Sequence, residues 1–155
     1  MDRETASRTD DHQALRLWLR LLTCSQLIER EVRARLQQRF DITLPRFDLM
    51  SQLWRYPAGL KMNELSRHLM VTGGNVTGIV DQLEKNGLVE RTAEPADRRA
   101  YRVRLTRAGR KAFAEMARVH EGWIVELLGG LTRREQAETL RLLARMKQVT
   151  MEAGS

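Results

Sequence analysis

Apolar residues recur every three or four positions between Asp11 and Arg39: Leu15, Trp18, Leu19 and Leu22, then Ile28, Val32 and Leu36 at intervals of four. That spacing is one face of a helix. At 1.5 Å per residue the helix would be about 43 Å long, which points to a helix that also packs on a second subunit. Asp41 to Leu44 interrupts the pattern. Pro45, suited to a first helical turn, opens a second helix that runs to Tyr56 with Phe47, Met50, Leu53 and Trp54 inward. Pro57 and Gly59 end it. Two short helices follow. The first covers Met62 to Met70 with Leu65 and Leu69 on one face. The second runs from Gly73 to Asn86 behind Thr72 as N-cap, with Val76, Ile79, Val80 and Leu83 as its apolar stripe. Asn86-Gly87-Leu88 is a helix stop, with Gly87 free to turn left-handed and Leu88 able to pack back.

The period then falls to two. Leu88–Thr92 and Tyr101–Leu105 read as strands, the second alternating Tyr101, Val103 and Leu105 with Arg102 and Arg104. The polar segment Ala93–Arg99 between them is expected to be an exposed hairpin tip. Thr106 caps a helix to about Leu128, with Phe113, Met116, Ala117, His120, Ile124 and Leu127 on its apolar side. Gly129-Gly130 breaks it, and Thr132-Arg133-Arg134-Glu135 is a capping box for a last helix carrying Leu140, Leu143, Met146 and Val149. The expected fold is therefore mainly α with a small β-hairpin wing: a winged helix-turn-helix. Residues 45–106 form the DNA-binding lobe, and 11–44 with 107–155 form a helical lobe too thin to close a core alone. Pairing with a second copy, as an intertwined helical dimer, would bury it. Residues 1–10 are polar and read as a flexible arm, not as a signal peptide.

Charge sharpens this picture. The 155 residues carry a net charge of +7. Arg98, Arg99, Arg102, Arg104, Arg107, Arg110 and Lys111 lie in one window without an acid, so the rest of the chain sums to zero. A basic patch on a balanced protein is the footprint of a polyanion site, although a solvated face would look the same. The single cysteine, Cys24, rules out an intrachain disulfide and suits the reducing cytoplasm. It would serve as a redox sensor only if it were reactive, and a packed or interfacial thiol is the plainer reading. No apolar run reaches the roughly 20 residues that span a bilayer. His12, His68 and His120 lack ligand spacing, and no nucleophile or phosphate-loop motif is present, so no metal, cofactor or catalytic site is expected.

The candidate chemistry sits on the second short helix and the wing. Opposite the apolar stripe stand Gly74, Gly78, Asp81 and Lys85, flanked by Asn75, Thr77 and Gln82. Glycine costs a helix about 1 kcal/mol relative to alanine. Gly73, Gly74 and Gly78 therefore suggest either a face kept bare for close approach to a groove or a helix that starts after Gly74. Asn75 and Gln82 have the amides that pair with adenine. Thr72 and Arg67 would complete the interface from the preceding turn and helix. At the wing, an arginine can enter a narrow minor groove, and Asp97 can orient it; Arg102 and Arg104 would meet phosphates.

Asn63-Glu64-Leu65-Ser66, Val71 to Thr77, Asp81 to Arg91, Asp97-Arg98-Arg99 and Val103-Arg104-Leu105-Thr106 together resemble the MarR family over about Pro45 to Gly109. The resemblance implies a homodimer with intertwined terminal helices, a recognition helix in the major groove of a pseudo-palindromic duplex operator, and a wing arginine, here Arg99, in the minor groove. At Gly78 the sequence departs from the pattern, in which arginine or another polar side chain is frequent, so DNA shape would weigh more here. Leu44 to Met50 and Met70 to Gly78 are similar to members that regulate aromatic-acid breakdown. The resemblance implies a repressor released by a small aromatic acid or its coenzyme A thioester. A pocket for it is expected from Trp18, Leu22, Arg46, Phe47, Met50, Trp54 and Phe113, with Arg46 as anchor. The competing functions are a redox regulator acting through Cys24 and a winged-helix protein-interaction module. The second is disfavoured because charge is depleted from interface cores.

Overall fold

A computed structural model of the chain describes residues 3–69, 75–94 and 96–155, with the side chains of residues 3–11, Arg98 and Arg99 outside the description. The chain divides into two units, Met1–His120 and Glu121–Ser155.

The first helix, α1 (Arg3–Phe40), starts earlier than the apolar spacing predicts. Only Val32 and Leu36 of its stripe are buried; Leu15, Trp18 and Leu19 are half exposed in the single chain. Asp41 ends it in the left-handed region (φ 52°), its carboxylate accepting from the Gln37 amide at 2.6 Å. Aspartate is among the few non-glycine residues that tolerate this conformation. Helix α2 (Leu44–Arg55) begins where Pro45 indicates, capped by Thr43, and buries Leu44, Phe47, Leu49, Met50 and Leu53; Trp54 stays exposed.

A strand the periodicity does not reveal follows. The two-residue β1 (Leu60–Lys61) pairs antiparallel with the longer wing strand, and the sheet order is β1-β3-β2. Gly59 makes this pairing possible: its φ is 94°, and a Cβ there would lie 2.8 Å from the Val103 carbonyl oxygen. Helix α3 (Met62–His68) is shorter than expected, and α4 (Val76–Lys85) starts later. Val80 and Leu83 are its buried residues. The expected stop is present: Gly87 adopts φ 74°, and the Leu88 and Gly87 amides donate to the Leu83 and Glu84 carbonyls, both at 2.9 Å.

The wing strands β2 (Val89–Glu94) and β3 (Asp97–Leu105) run further than alternation predicts. Asp97-Arg98-Arg99, expected in a loop, belongs to β3, and Glu94 pairs with Asp97 after a bulge. Helix α5 (Arg107–Leu127) is capped by Thr106, whose hydroxyl also donates to the Gly87 carbonyl at 2.6 Å. Helix α6 (Arg133–Ala153) opens on the expected capping box of Thr132 and Glu135, and buries no residue of its own.

Asp48, on α2, is the one charged group set poorly among the described residues. Its Oδ2 is buried without a hydrogen-bond partner. Burial above all, then the neighbouring charge of Glu29, pushes its pKa from 3.8 up to about 6, against the opposing pull of Arg33. The folded chain thus holds a proton there that the unfolded chain has lost between pH about 4 and about 6. Stability from this group is complete below pH 3.8 and is lost as pH rises through about 6. Asp48→Asn is therefore expected to stabilise the protein at pH 7.5 by about 1 kcal/mol, a figure discounted for partial exposure. The gain should vanish below pH 4 in paired urea titrations. A pH-independent difference would show that the asparagine acts by shape alone.

Candidate nucleic-acid interface

Helices α3 and α4 with the β2–β3 wing bring the candidate residues of unit one onto three elements. Asn75, Thr77 and Gln82 are exposed on α4, as the stripe of Val80 and Leu83 requires. Thr72 and Gly74 lie outside the described residues. Arg67 is exposed on α3, where its Nε donates to the Asn63 carbonyl.

The cap differs from expectation. Asn75, not Thr72, occupies the N-cap of α4, and its Oδ1 accepts from the Gly78 amide at 2.9 Å. Both residue types cap well, so the choice rests on where the apolar stripe starts to pack. The cap also gives Gly78 a second role: a Cβ there would lie 2.7 Å from Nδ2 of Asn75. The bare position is filled by the cap of its own helix. Asn75→Ala should therefore cost about 1 kcal/mol, and Gly78→Ala in that background should restore about as much through helix propensity. In wild type the same Gly78→Ala displaces the cap, so its effect should be near zero. Additive single effects in a double-mutant cycle would refute the contact.

The wing changes the charge picture. Arg104 pairs with Glu90 at 2.5 Å and Arg102 with Glu94 at 2.7 Å; Arg102 also donates to the Gly59 carbonyl at 3.2 Å. The basic window has no acid in sequence, but cross-strand register supplies two, so these arginines are not unopposed. Arg110 lies over the Trp54 ring at 5.6 Å, while Arg107 and Lys111 are exposed. Arg98 and Arg99 take their places in β3 beside Asp97.

Two sets of contacts escape sequence reasoning. Arg91 of β2 pairs with both Asp81 and Glu84 of α4, the latter at 2.7 Å. Arg46 of α2 donates to the Gln82 side chain. Helix α4 is thus held from the sheet and from α2, by three of its positions, Asp81, Gln82 and Glu84.

The expected ligand pocket does not assemble. Met50 is fully buried, and Phe47, packed against Phe113 (5.4 Å) and His120 (4.8 Å), is core; burial lowers the His120 pKa. Trp54 joins this cluster through Phe113 at 5.4 Å. Trp18 is exposed on α1, and neither it nor Leu22 lines a described cavity. Phe47, Met50 and Phe113 serve packing because a close-packed core leaves no room beside them. Arg46 alone of the set borders a cavity, of about 280 Å³, with Phe40, Ile42, Leu83, Leu88 and Met116 among its walls. Cys24 is exposed on α1. Among the described residues no group of His, Cys, Asp or Glu is placed to hold a metal ion, and no helix is long and apolar enough to cross a membrane.

A helix-turn-helix followed at once by a basic antiparallel wing defines a winged helix-turn-helix DNA-binding protein. A MarR family sequence profile matches residues 42–101. Over 83 residues the chain is 31% identical to the uncharacterized HTH-type transcriptional regulator YkoM of Bacillus subtilis, and it spans about half of that relative, 54% of each chain being matched. A crystal structure of a MarR family transcriptional regulator from Silicibacter pomeroyi is 30% identical with a TM-score of 0.76, covering 97% of this chain and 99% of that one. Streptococcus pneumoniae FabT, solved in complex with DNA, is 25% identical with a TM-score of 0.72, over 90% of this chain and 99% of its own. The chain belongs to the MarR family of DNA-binding transcriptional regulators.

Proposed function

We propose that the protein acts in the cytoplasm as a homodimeric repressor that binds a pseudo-palindromic duplex operator and is released by a small aromatic acid. The observation that carries the DNA reading is the exposed polar face of α4, followed by the β2–β3 wing with its basic β3 strand. In this reading α4 and its cap enter the major groove through Asn75, Thr77, Gly78 and Gln82, and Thr72 and Gly74, outside the described residues, belong to the same DNA-contacting set. The wing places Arg98 or Arg99 in the minor groove with Asp97 as support, and Arg67, Arg102 and Arg104 lie near phosphates. The dimer is supported by apolar surface left open on single elements: Leu15, Trp18 and Leu19 on α1, and Leu140, Leu143 and Val149 on α6. Patches of this kind on a soluble chain mark an interaction surface. The acid is supported by Arg46 at the rim of an apolar cavity. Its 280 Å³ sits at the small end of ligand pockets, which run from about 300 to 1,000 Å³, and suits a one-ring acid better than a coenzyme A thioester.

The test is gel-shift titration against duplexes selected from a random pool, repeated over a salt series, with sedimentation of the free protein. Expected are selection of a two-fold symmetric sequence, affinity that falls steeply with salt, and a dimer at micromolar concentration. A folded monomer, or affinity indifferent to sequence, would overturn the reading.

A further inference from the structure

We propose that Arg46 is the coupling residue of this regulator. Its guanidinium positions Gln82 for the operator, and an acid entering the adjoining cavity takes that guanidinium away. The inference rests on the functional reading above in two respects: α4 reads the groove, and the effector is a carboxylate.

The geometry is specific. Two openings flank the start of α2. One is the apolar cavity bounded by Phe40, Ile42, Leu83, Leu88 and Met116. The other is a groove against the first turns of α4, bounded by Asn75, Gly78, Ile79 and Gln82. Arg46 is the one residue that borders both, and its side chain is committed to the groove side through its bond to Gln82. The Gln82 carbonyl it holds is neutral. A carboxylate accepts from the guanidinium fork through two oxygens and brings a full opposite charge, neither of which the single neutral oxygen of Gln82 offers. A bound acid therefore outcompetes Gln82. The two carboxylates that also border the cavity do not satisfy Arg46 in its place: Asp41 accepts from Gln37 at 2.6 Å, and Glu115 pairs with Arg118 at 2.8 Å. Among the described residues Arg46 is thus the one cation on the cavity wall, and losing it frees the exposed Gln82 side chain on the reading face of α4. Induction then needs no rearrangement of the fold, only the reassignment of one guanidinium.

The experiment compares wild type with Arg46→Met, Gln82→Met and the double variant. Its first arm is duplex selection, which needs no ligand. Both single variants are expected to lose about tenfold in affinity for the wild-type operator and to relax preference at the same base position in each half-site, and the double variant to lose no more than either. An Arg46→Met protein that keeps the wild-type base preference would overturn the proposal, since a residue that only supported the fold would weaken all duplexes alike. The second arm uses benzoate as probe, with calorimetry for its binding and gel shift for its effect on the operator. Benzoate should bind Gln82→Met more tightly than wild type, since no acceptor competes there for the guanidinium, weaken operator binding of wild type only, and fail to bind Arg46→Met. Equal weakening of operator binding in wild type and Gln82→Met would sink the coupling and leave the effector reading standing. No binding to wild type would sink the carboxylate half of the proposal, with the positioning half decided by the selection arm.

Discussion

Gly109→Ala is expected to destabilise the protein by about 3 kcal/mol or more, the upper end of what overpacking costs. Gly109 lies in the first turn of α5 and is buried. A Cβ there would stand 1.9 Å from the Leu88 carbonyl oxygen, 2.9 Å from its carbon and 3.3 Å from Cδ2 of Leu105. The nearest obstacle is backbone, so no rotamer change relieves it. The same carbonyl accepts from the Thr106 amide at 3.0 Å, and the Thr106 hydroxyl bonds Gly87 and caps α5. One methyl group therefore strains the stop of α4, the end of β3 and the start of α5 together. The helix-propensity gain of about 1 kcal/mol does not offset this. Gly122 of the same helix is the control: it is exposed, and a Cβ there meets nothing within 4 Å, so Gly122→Ala should stabilise by about 1 kcal/mol. Urea denaturation of the two variants should give shifts of opposite sign. A Gly109→Ala protein within about 1 kcal/mol of wild type would mean that α5 rides freely on Leu88, against the contacts seen.

The contrast between what the sequence announces and what it conceals is clearest around α4. The stop at Asn86-Gly87-Leu88 and the capping box at Thr132 are legible because each is local chemistry within six residues. The start of α4 is not, since Thr72 and Asn75 are both good caps and packing decides between them. Strand β1 is two residues long, too short for alternation, and the contact tying its approach to the wing, Gly59 with Arg102, is 43 positions apart. The wing looks unopposed in sequence because Glu90 and Glu94 reach Arg104 and Arg102 across the strands, which a window of sequence does not show. The ligand pocket fails for a related reason: an aromatic stripe on α2 looks the same whether it lines a cavity or fills a core, and here Phe47 and Phe113 fill one.

The ion-paired face of α4 carries the second large effect. Arg91→Met is expected to lower operator affinity ten- to a hundredfold at low salt, about 1.4–2.8 kcal/mol, while costing the fold little. The guanidinium of Arg91, itself mostly shielded, holds the exposed carboxylates of Asp81 and Glu84; its hydrogen bond to Asp81 above all, then the charge of both carboxylates, raises its pKa further. With Arg91 present the three groups sum to one negative charge. Without it, the helix proposed to meet the DNA presents two uncompensated carboxylates to a polyanion and loses its tie to β2. Repulsion and loosening make different predictions. Charge repulsion is screened over about 10 Å at 0.1 M salt, so a repulsive penalty should shrink as salt rises, and Asp81→Asn with Glu84→Gln should restore most of the affinity to Arg91→Met. Loosening of α4 would survive both changes. Wild-type affinity in Arg91→Met at low salt would remove the pair from any role in DNA binding. A deficit that neither salt nor the neutral amides reduce would assign Arg91 to fixing the helix on the sheet.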